Sequence, residues 1–98
     1  MRKFIEWDAS KAASNLRKHG VSFAVAGKVF DDPLAVTKQD RIENGELRWQ
    51  TIGIVDGVLL LLVAHTFQDH DDEDFDVVIR IISARYPTKR EKKFYENG

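Results

Sequence analysis

Between Arg80 and Tyr95 the sequence reads RIISARYPTKREKKFY. Two arginines, Arg80 and Arg85, sit in an apolar stretch. A proline follows, and then Lys89, Arg90, Lys92 and Lys93 gather ahead of a phenol, Tyr95. Guanidinium groups stabilise charge developing on a phosphate, ammonium groups hold a polyanionic backbone, and a phenol can carry a proton. Upstream, Lys11, Ser14, Asn15 and Lys18 recur at helical spacing, so one helix face would carry them against phosphates. His19 ends that helix, where the dipole attracts a cation that could bind phosphate or act as an acid. The plainer readings are a solvated helix surface and a capping contact.

In GELRWQTIG, Arg48 and Trp49 alternate across a strand. Trp49 is expected in the core, and Arg48 with Gln50 on the other face. His65 ends the most apolar strand and shares a face with Leu59, Leu61 and Val63. It is a candidate for proton transfer, although a satisfied, half-buried core histidine is the plainer reading. Arg80 aligns with Val78 and Ile82, whereas Arg85 takes the opposite parity with Ile79, Ile81 and Ser83. One regular strand cannot present both arginines to one groove unless a bulge or the strand end rotates one of them. Arg80 lies among isoleucines, so it needs a carboxylate partner or an open sheet face. Lys89 and Arg90 fall in the first turn of a helix, where cations oppose the dipole, and such local conflicts gather at functional places.

Other chemistries are excluded. The chain has no cysteine, hence no disulfide, thiolate nucleophile or thiolate metal site, which suits a reducing cytoplasm. It has no Gly-rich phosphate loop, no G-x-S-x-G and no zinc-binding His/Cys spacing. The acidic run from Asp69 to Asp74 lacks the turn glycine and distal glutamate of a calcium loop, so it reads as a solvated hairpin loop and no metal site is assigned. Arg, Lys, His and Tyr remain. RNA cleavage by its own 2′-hydroxyl suits that inventory, because the substrate brings its nucleophile and the protein supplies orientation, charge and proton transfer.

The 98 residues make a single expected domain, 1–98, with 43% hydrophobic and 32% charged residues. MRKFIEWD turns acidic too soon for a secretion signal, and VLLLLVA, from Val58 to Ala64, is too short to span a bilayer. The net charge is −1, but residues 1–30 and 77–98 each carry six Lys/Arg against two acids, whereas residues 51–76 carry seven acids and no Lys/Arg. A basic footprint can therefore occupy one face of a nearly neutral molecule.

These groups need a scaffold. Lys3 to Trp7 reads as a strand. Asp8 caps a helix that runs to about Lys18 with Ala9, Ala12, Ala13 and Leu16 as its inner stripe, and Gly20 ends it. Ser22 caps a second helix with Phe23, Ala26, Gly27 and Phe30 inside, stopped by Asp31-Asp32-Pro33. Strands are expected over Leu34–Gln39, Glu46–Val55, Val58–Phe67 and Phe75–Arg85. A polar turn covers Asp40 to Gly45, a type I′ turn falls at Asp56-Gly57, and an acidic loop covers Gln68 to Asp74. Thr88 to Glu91 forms a capping box for a last helix. The expected fold is α+β: an antiparallel sheet of four to five strands, two N-terminal helices and a C-terminal helix, with the helices on one face.

Taken in order, FIEWD, K-x-x-x-N-x-x-KHGVSF, F-D-DP, GE-x-RW-x-x-IG, V-x-HT and RIISAR followed by E-x-x-x-Y resemble the BrnT toxins of type II toxin–antitoxin pairs. The resemblance runs from Phe4 to Tyr95 and implies the RelE-like ribonuclease fold. It implies a ribonuclease without a cofactor, neutralised by a BrnA-type antitoxin with a ribbon-helix-helix part, in a complex of two toxins and two antitoxins that represses its own promoter. By motif, Lys18 and His19, Arg48, His65, Arg80, Arg85 and Tyr95 are the implied site. Arg80 and Arg85 would stabilise the phosphate, and His19, His65 or Tyr95 would move protons. Lys11, Lys18, Arg48, Lys89 and Arg90 are the expected RNA-binding residues. Six carboxylates from Asp69 to Asp76 depart from the expected pattern. The competing class is a catalytically inactive module that binds its antitoxin and represses only with it.

Overall fold

The computed structural model describes residues 2–69 and 76–98. Five strands form one sheet in the order β1-β5-β4-β3-β2. They are β1 (Lys3–Trp7), β2 (Val36–Glu43), β3 (Glu46–Val55), β4 (Leu59–Asp69) and β5 (Val77–Arg85). The helices are α1 (Ala9–His19), α2 (Phe23–Ala26) and α3 (Lys89–Asn97), with a 3₁₀ segment, Gly27–Asp31, after α2. Among the described residues, no helix is long and apolar enough to cross a membrane.

The α+β class holds, but the sheet is mixed. β1 runs parallel to β5, from Lys3 opposite Val77 to Trp7 opposite Ile81. A parallel neighbour requires a crossover, and everything between β1 and β5 supplies it. β2 is longer than expected. A bulge between Gln39 and Ile42 lets the strand continue to Glu43, so the turn shrinks to Asn44 and Gly45, at φ 53° and 77°. The other hairpin turns at Asp56 and Gly57, also with both φ positive, as its sequence requires. The acidic run from His70 to Asp74, and Phe75, lie outside the described residues, while Gln68 and Asp69 end β4.

Local signals set the helix ends. The Asp8 carboxylate accepts the Lys11 N–H at 3.0 Å, and Gly20 closes α1 at φ 71°. The expected long second helix tightens into 3₁₀ geometry after Ala26. There Val29 comes so close to β3 that a Cβ at Gly53 would sit 3.0 Å from its carbonyl oxygen. Phe23, Ala26 and Val29 seal the core against Leu61, Val63, Ile81 and Ala84. Burying one such aliphatic or aromatic side chain contributes roughly 1.5–3 kcal/mol.

The helices do not share one face. Gly53 meets Val29 of the 3₁₀ segment, whereas its neighbour Ile52 lines a hollow with Glu91 and Phe94 of α3. Successive strand residues point to opposite sides. The helices before β2 therefore cover one face, and α3 covers part of the other.

Candidate active site

The last strand carries a bulge. Ala64 lies opposite Ser83 and His65 opposite Ile81, so Ile82 is the extra residue. Arg85 thereby comes opposite Leu62, and Arg80 opposite Thr66. Leu62 and Thr66 share parity on β4, so the bulge turns both arginines to the same face, the one that α3 partly covers. Arg48, next to Trp49 and in parity with Ile52, points to that face as well.

Each of these three arginines already holds a carboxylate. Arg85 makes a two-pronged pair with Glu91, its Nη1 and Nη2 donating at 2.7 and 2.9 Å. That pair holds the Glu91 carboxyl down at about 2, and raises the pKa of Arg85. Glu91 also closes the capping box at the third helical position, accepting the Thr88 N–H at 2.9 Å. Arg80 Nε donates to Glu6 at 3.2 Å, the neighbour that parallel pairing sets beside it. Arg48 Nη1 lies 3.4 Å from Glu43, and its Nε is buried without a hydrogen-bond partner.

β1 stops pairing at Ile81, which leaves the outer edge of β5 unpaired beyond it. Asn15 takes the place of a strand there. Its Oδ1 accepts the Ala84 N–H at 3.1 Å, while its Nδ2 donates to the Ala84 and Val21 carbonyls at 2.8 and 3.0 Å. Asn15 is buried, so it does not belong to a phosphate-contacting stripe. The alanine stripe is corrected in part: α1 docks along its Asn15 edge and Ala12 packs against the core, but Ala9 and Ala13 are exposed, and Leu16 is 51% exposed. The cations flanking Asn15 stay in solvent. Lys11 lines a cleft of about 280 Å³ with Arg80 and Glu6. It also lines a second cleft, of about 290 Å³, with Ser14, Lys18, His19 and Ser83.

Tyr95 lies one helical turn beyond Glu91 on α3, hence on the same side of the helix. Its hydroxyl donates to Asp32 Oδ2 at 2.7 Å. The same oxygen accepts the Ile54 N–H at 2.8 Å, and Oδ1 accepts the Leu34 N–H at 2.9 Å. These donors hold the Asp32 carboxyl below its ordinary value, the Ile54 N–H contributing most, and the bond to Asp32 raises the Tyr95 phenol. Tyr95 therefore keeps its proton at neutral pH. Lys89 and Arg90 are exposed at the start of α3 and form no ion pair among the described residues.

His65 is withdrawn as a proton carrier. It is 0% exposed, on the helix-covered face, wedged edge-on against Phe30 and Phe67 at 4.9 and 4.7 Å. Desolvation pushes its pKa down to about 4. Its Nε2 lies 2.7 Å from Thr51 Oγ1, which lies 2.7 Å from Thr37 Oγ1, and its Nδ1 faces the Thr66 carbonyl at 3.5 Å. A neutral ring donating from Nδ1 and accepting at Nε2 satisfies this chain. No substrate reaches it in this conformation.

The structure thus gathers Lys11, Lys18, His19 and Arg80 along the outer edge of β5, ties Arg85 to Glu91 of α3, and sets Tyr95 apart, in a cleft with Asp32, Ile54 and Asp56. Arg48 stands apart, beside Glu43. Sequence reasoning missed the holders: Glu6, Glu43, Glu91, Asp32 and the strand-mimicking Asn15. Only Glu91 carried a local signal, in its capping box. Among the described residues, no group of three His, Asp or Glu side chains is placed to hold a metal ion.

No curated protein matches the chain. The fold resembles the 1.1 Å crystal structure of the Brucella abortus ribonuclease toxin BrnT, at 22% identity and a TM-score of 0.56, over 91% of this chain and all of that one. Residues 7–91, which span the α1 clefts and both β5 arginines, match the family model of BrnT, the ribonuclease toxin of type II toxin–antitoxin systems. With that match over most of its length, the chain belongs to the BrnT family of ribonuclease toxins, whose activity is answered by an antitoxin.

Proposed function

We propose that this ribonuclease toxin cleaves RNA by internal transesterification along β5, without a metal ion. The 2′-oxygen attacks the adjacent phosphorus and loses its proton, while the 5′-oxygen leaves and gains one. The products are a 2′,3′-cyclic phosphate and a 5′-hydroxyl. Arg80 and Arg85 stabilise the phosphorane oxygens. Lys11, Lys18, Arg48, Lys89 and Arg90 hold neighbouring phosphates. Tyr95, kept protonated and aimed by Asp32, serves as the acid, and His19, beside Lys11 and Lys18, as the base.

The observation that carries this reading is the Ile82 bulge, which turns Arg80 and Arg85 to one face of the sheet, with Arg80 sharing a cleft with Lys11 of α1. The paired carboxylates hold each guanidinium in place. A phosphate must displace Glu6 or Glu91, exchanging one anion for another. The partner is a BrnA-type antitoxin in an assembly of two toxins and two antitoxins, which meets operator DNA only through the antitoxin. The site of action is the cytoplasm.

The test is a long unstructured RNA incubated in EDTA with antitoxin-free protein, beside Arg85→Ala. Cleavage that leaves 2′,3′-cyclic phosphate ends and is lost in the variant supports the mechanism. Cleavage that requires a divalent ion, or survives in Arg85→Ala, overturns it. Absence of cleavage with and without ribosomes, while antitoxin and operator binding persist, returns the binding-only module.

A further inference from the structure

The proposed reaction gives no role to the helix-covered face, and that face is not covered to its end. Past His65, an apolar row crosses four strands, β2 to β5. Ile42 stands opposite Leu47, Trp49 opposite His65, and Phe67 opposite Ile79. The Trp49 and Phe67 rings meet edge-on at 5.4 Å. Ile42 is 71% exposed, Phe67 38% and Leu47 36%. Leu47, Trp49 and Phe67 floor an open groove of about 630 Å³ whose rim carries Glu46, Asp69 and Asp76. Among the described residues Glu46 and Asp69 form no ion pair, and Asp76 is held by Arg2, whose backbone N–H donates to it at 3.1 Å and whose guanidinium lies 3.9 Å away.

An exposed apolar floor with a polar rim is the anatomy of a protein-binding site. Aromatic rings can also stack on bases, but sites that do so for single-stranded nucleic acid are cationic, and this rim is anionic. The complementary occupant is a polypeptide that sets apolar side chains on the floor and Lys or Arg against the rim. We propose that the groove is a docking site for the antitoxin, taking a segment with at least two apolar anchors flanked by basic residues. The identity of the occupant rests on the family reading; the groove and its charge come from the geometry. The groove lies on the face opposite Arg80 and Arg85, so losing this contact leaves catalysis intact and frees the toxin from control.

The experiment measures RNA cleavage and the dissociation constant for the purified antitoxin of the same pair. It compares wild type, Leu47→Lys, Glu46→Lys and a remote control, Val58→Lys, at a position 86% exposed. Leu47→Lys should bind antitoxin at least about tenfold more weakly while cleaving RNA at the wild-type rate. Glu46→Lys, a surface charge change that spares the floor, should weaken binding and flatten its salt dependence. Val58→Lys should match wild type. Wild-type affinity in both Leu47→Lys and Glu46→Lys overturns the proposal, as does a change confined to association between copies of the toxin. A wild-type protein that binds no antitoxin overturns the partner and the site together. A wild-type protein that binds antitoxin tightly, with both variants binding equally well, overturns the site alone.

Discussion

Thr51 and Arg48 lie three residues apart on β3 and face opposite sides of the sheet, where polar groups are treated differently. On Thr51's side, the run Thr37–Thr51–His65 is sealed under the first two helices, neutral and fully bonded. On Arg48's side, Arg48, Arg80 and Arg85 are charged, partly solvated, and each held by one carboxylate. A buried network cannot exchange partners without exposing an unpaired group, which costs about 1–3 kcal/mol. The exposed Arg80–Glu6 pair is of the surface kind, worth about 0–1 kcal/mol, so a phosphate can displace it, whereas the part-buried, two-pronged Arg85–Glu91 pair is held more firmly. The first arrangement builds a core and the second keeps a site available.

The sharpest way to break this contrast is to remove an arginine. Arg85→Ala should lower kcat by roughly 10²–10³-fold, the usual loss for one charge-stabilising donor, in a single-turnover cleavage assay. A variant as active as wild type would make Arg85–Glu91 merely a clamp for α3.

The covered face should speak through pH instead. The folded pKa of His65 is about 4 and its ordinary value 6.5, so the unfolded chain binds the extra proton between them. This contribution is complete above pH 6.5 and is lost as pH falls toward 4, by up to about 3 kcal/mol. Urea unfolding across that window should show the decline, and His65→Gln, less stable at pH 7, should flatten it. An unchanged slope in His65→Gln would place the titrating group elsewhere.

Asn15 joins the two regions. Asn15→Ala leaves the Ala84 N–H and two carbonyls without their partner, and should cost about 2–3 kcal/mol by urea denaturation. A loss of cleavage without loss of stability would return Asn15 to the RNA-contacting stripe. The smallest loss of stability is expected at Tyr95→Phe, which removes one hydrogen bond to Asp32 at the surface and should shift urea unfolding only slightly. A much larger drop in cleavage rate, with the alkaline limb of the pH–rate profile altered, would mark Tyr95 as the acid; equal modest losses would mark it as a strut.

Much of this was legible in the chain. Asp8, Gly20, Ser22, Asp56-Gly57 and the Thr88–Glu91 box act through contacts within a few residues, so each could be read where it stands. The alternation of Arg48 and Trp49 survived too. The Ile82 bulge was anticipated only as a condition on Arg80 and Arg85, because a bulge depends on the register of a neighbouring strand. The alanines of α1 misled: their spacing signals an inner stripe, yet one buried asparagine with three hydrogen bonds set the docking edge. His65 was placed correctly on the apolar face, but its full enclosure depends on Phe30, far off in sequence.

The sequence by itself determined the helix caps, the Asp56-Gly57 turn, most strands, the cation-rich ends and the family. These rest on local backbone preferences and on the order of motifs. Tertiary structure alone decided that β1 lies parallel to β5, that Glu6 holds Arg80, and that Asp32 holds Tyr95. The physical reason is separation along the chain. Glu6 and Arg80 meet across 74 residues, and Asp32 and Tyr95 across 63. Contacts of that range follow from how the sheet closes, which no local pattern records.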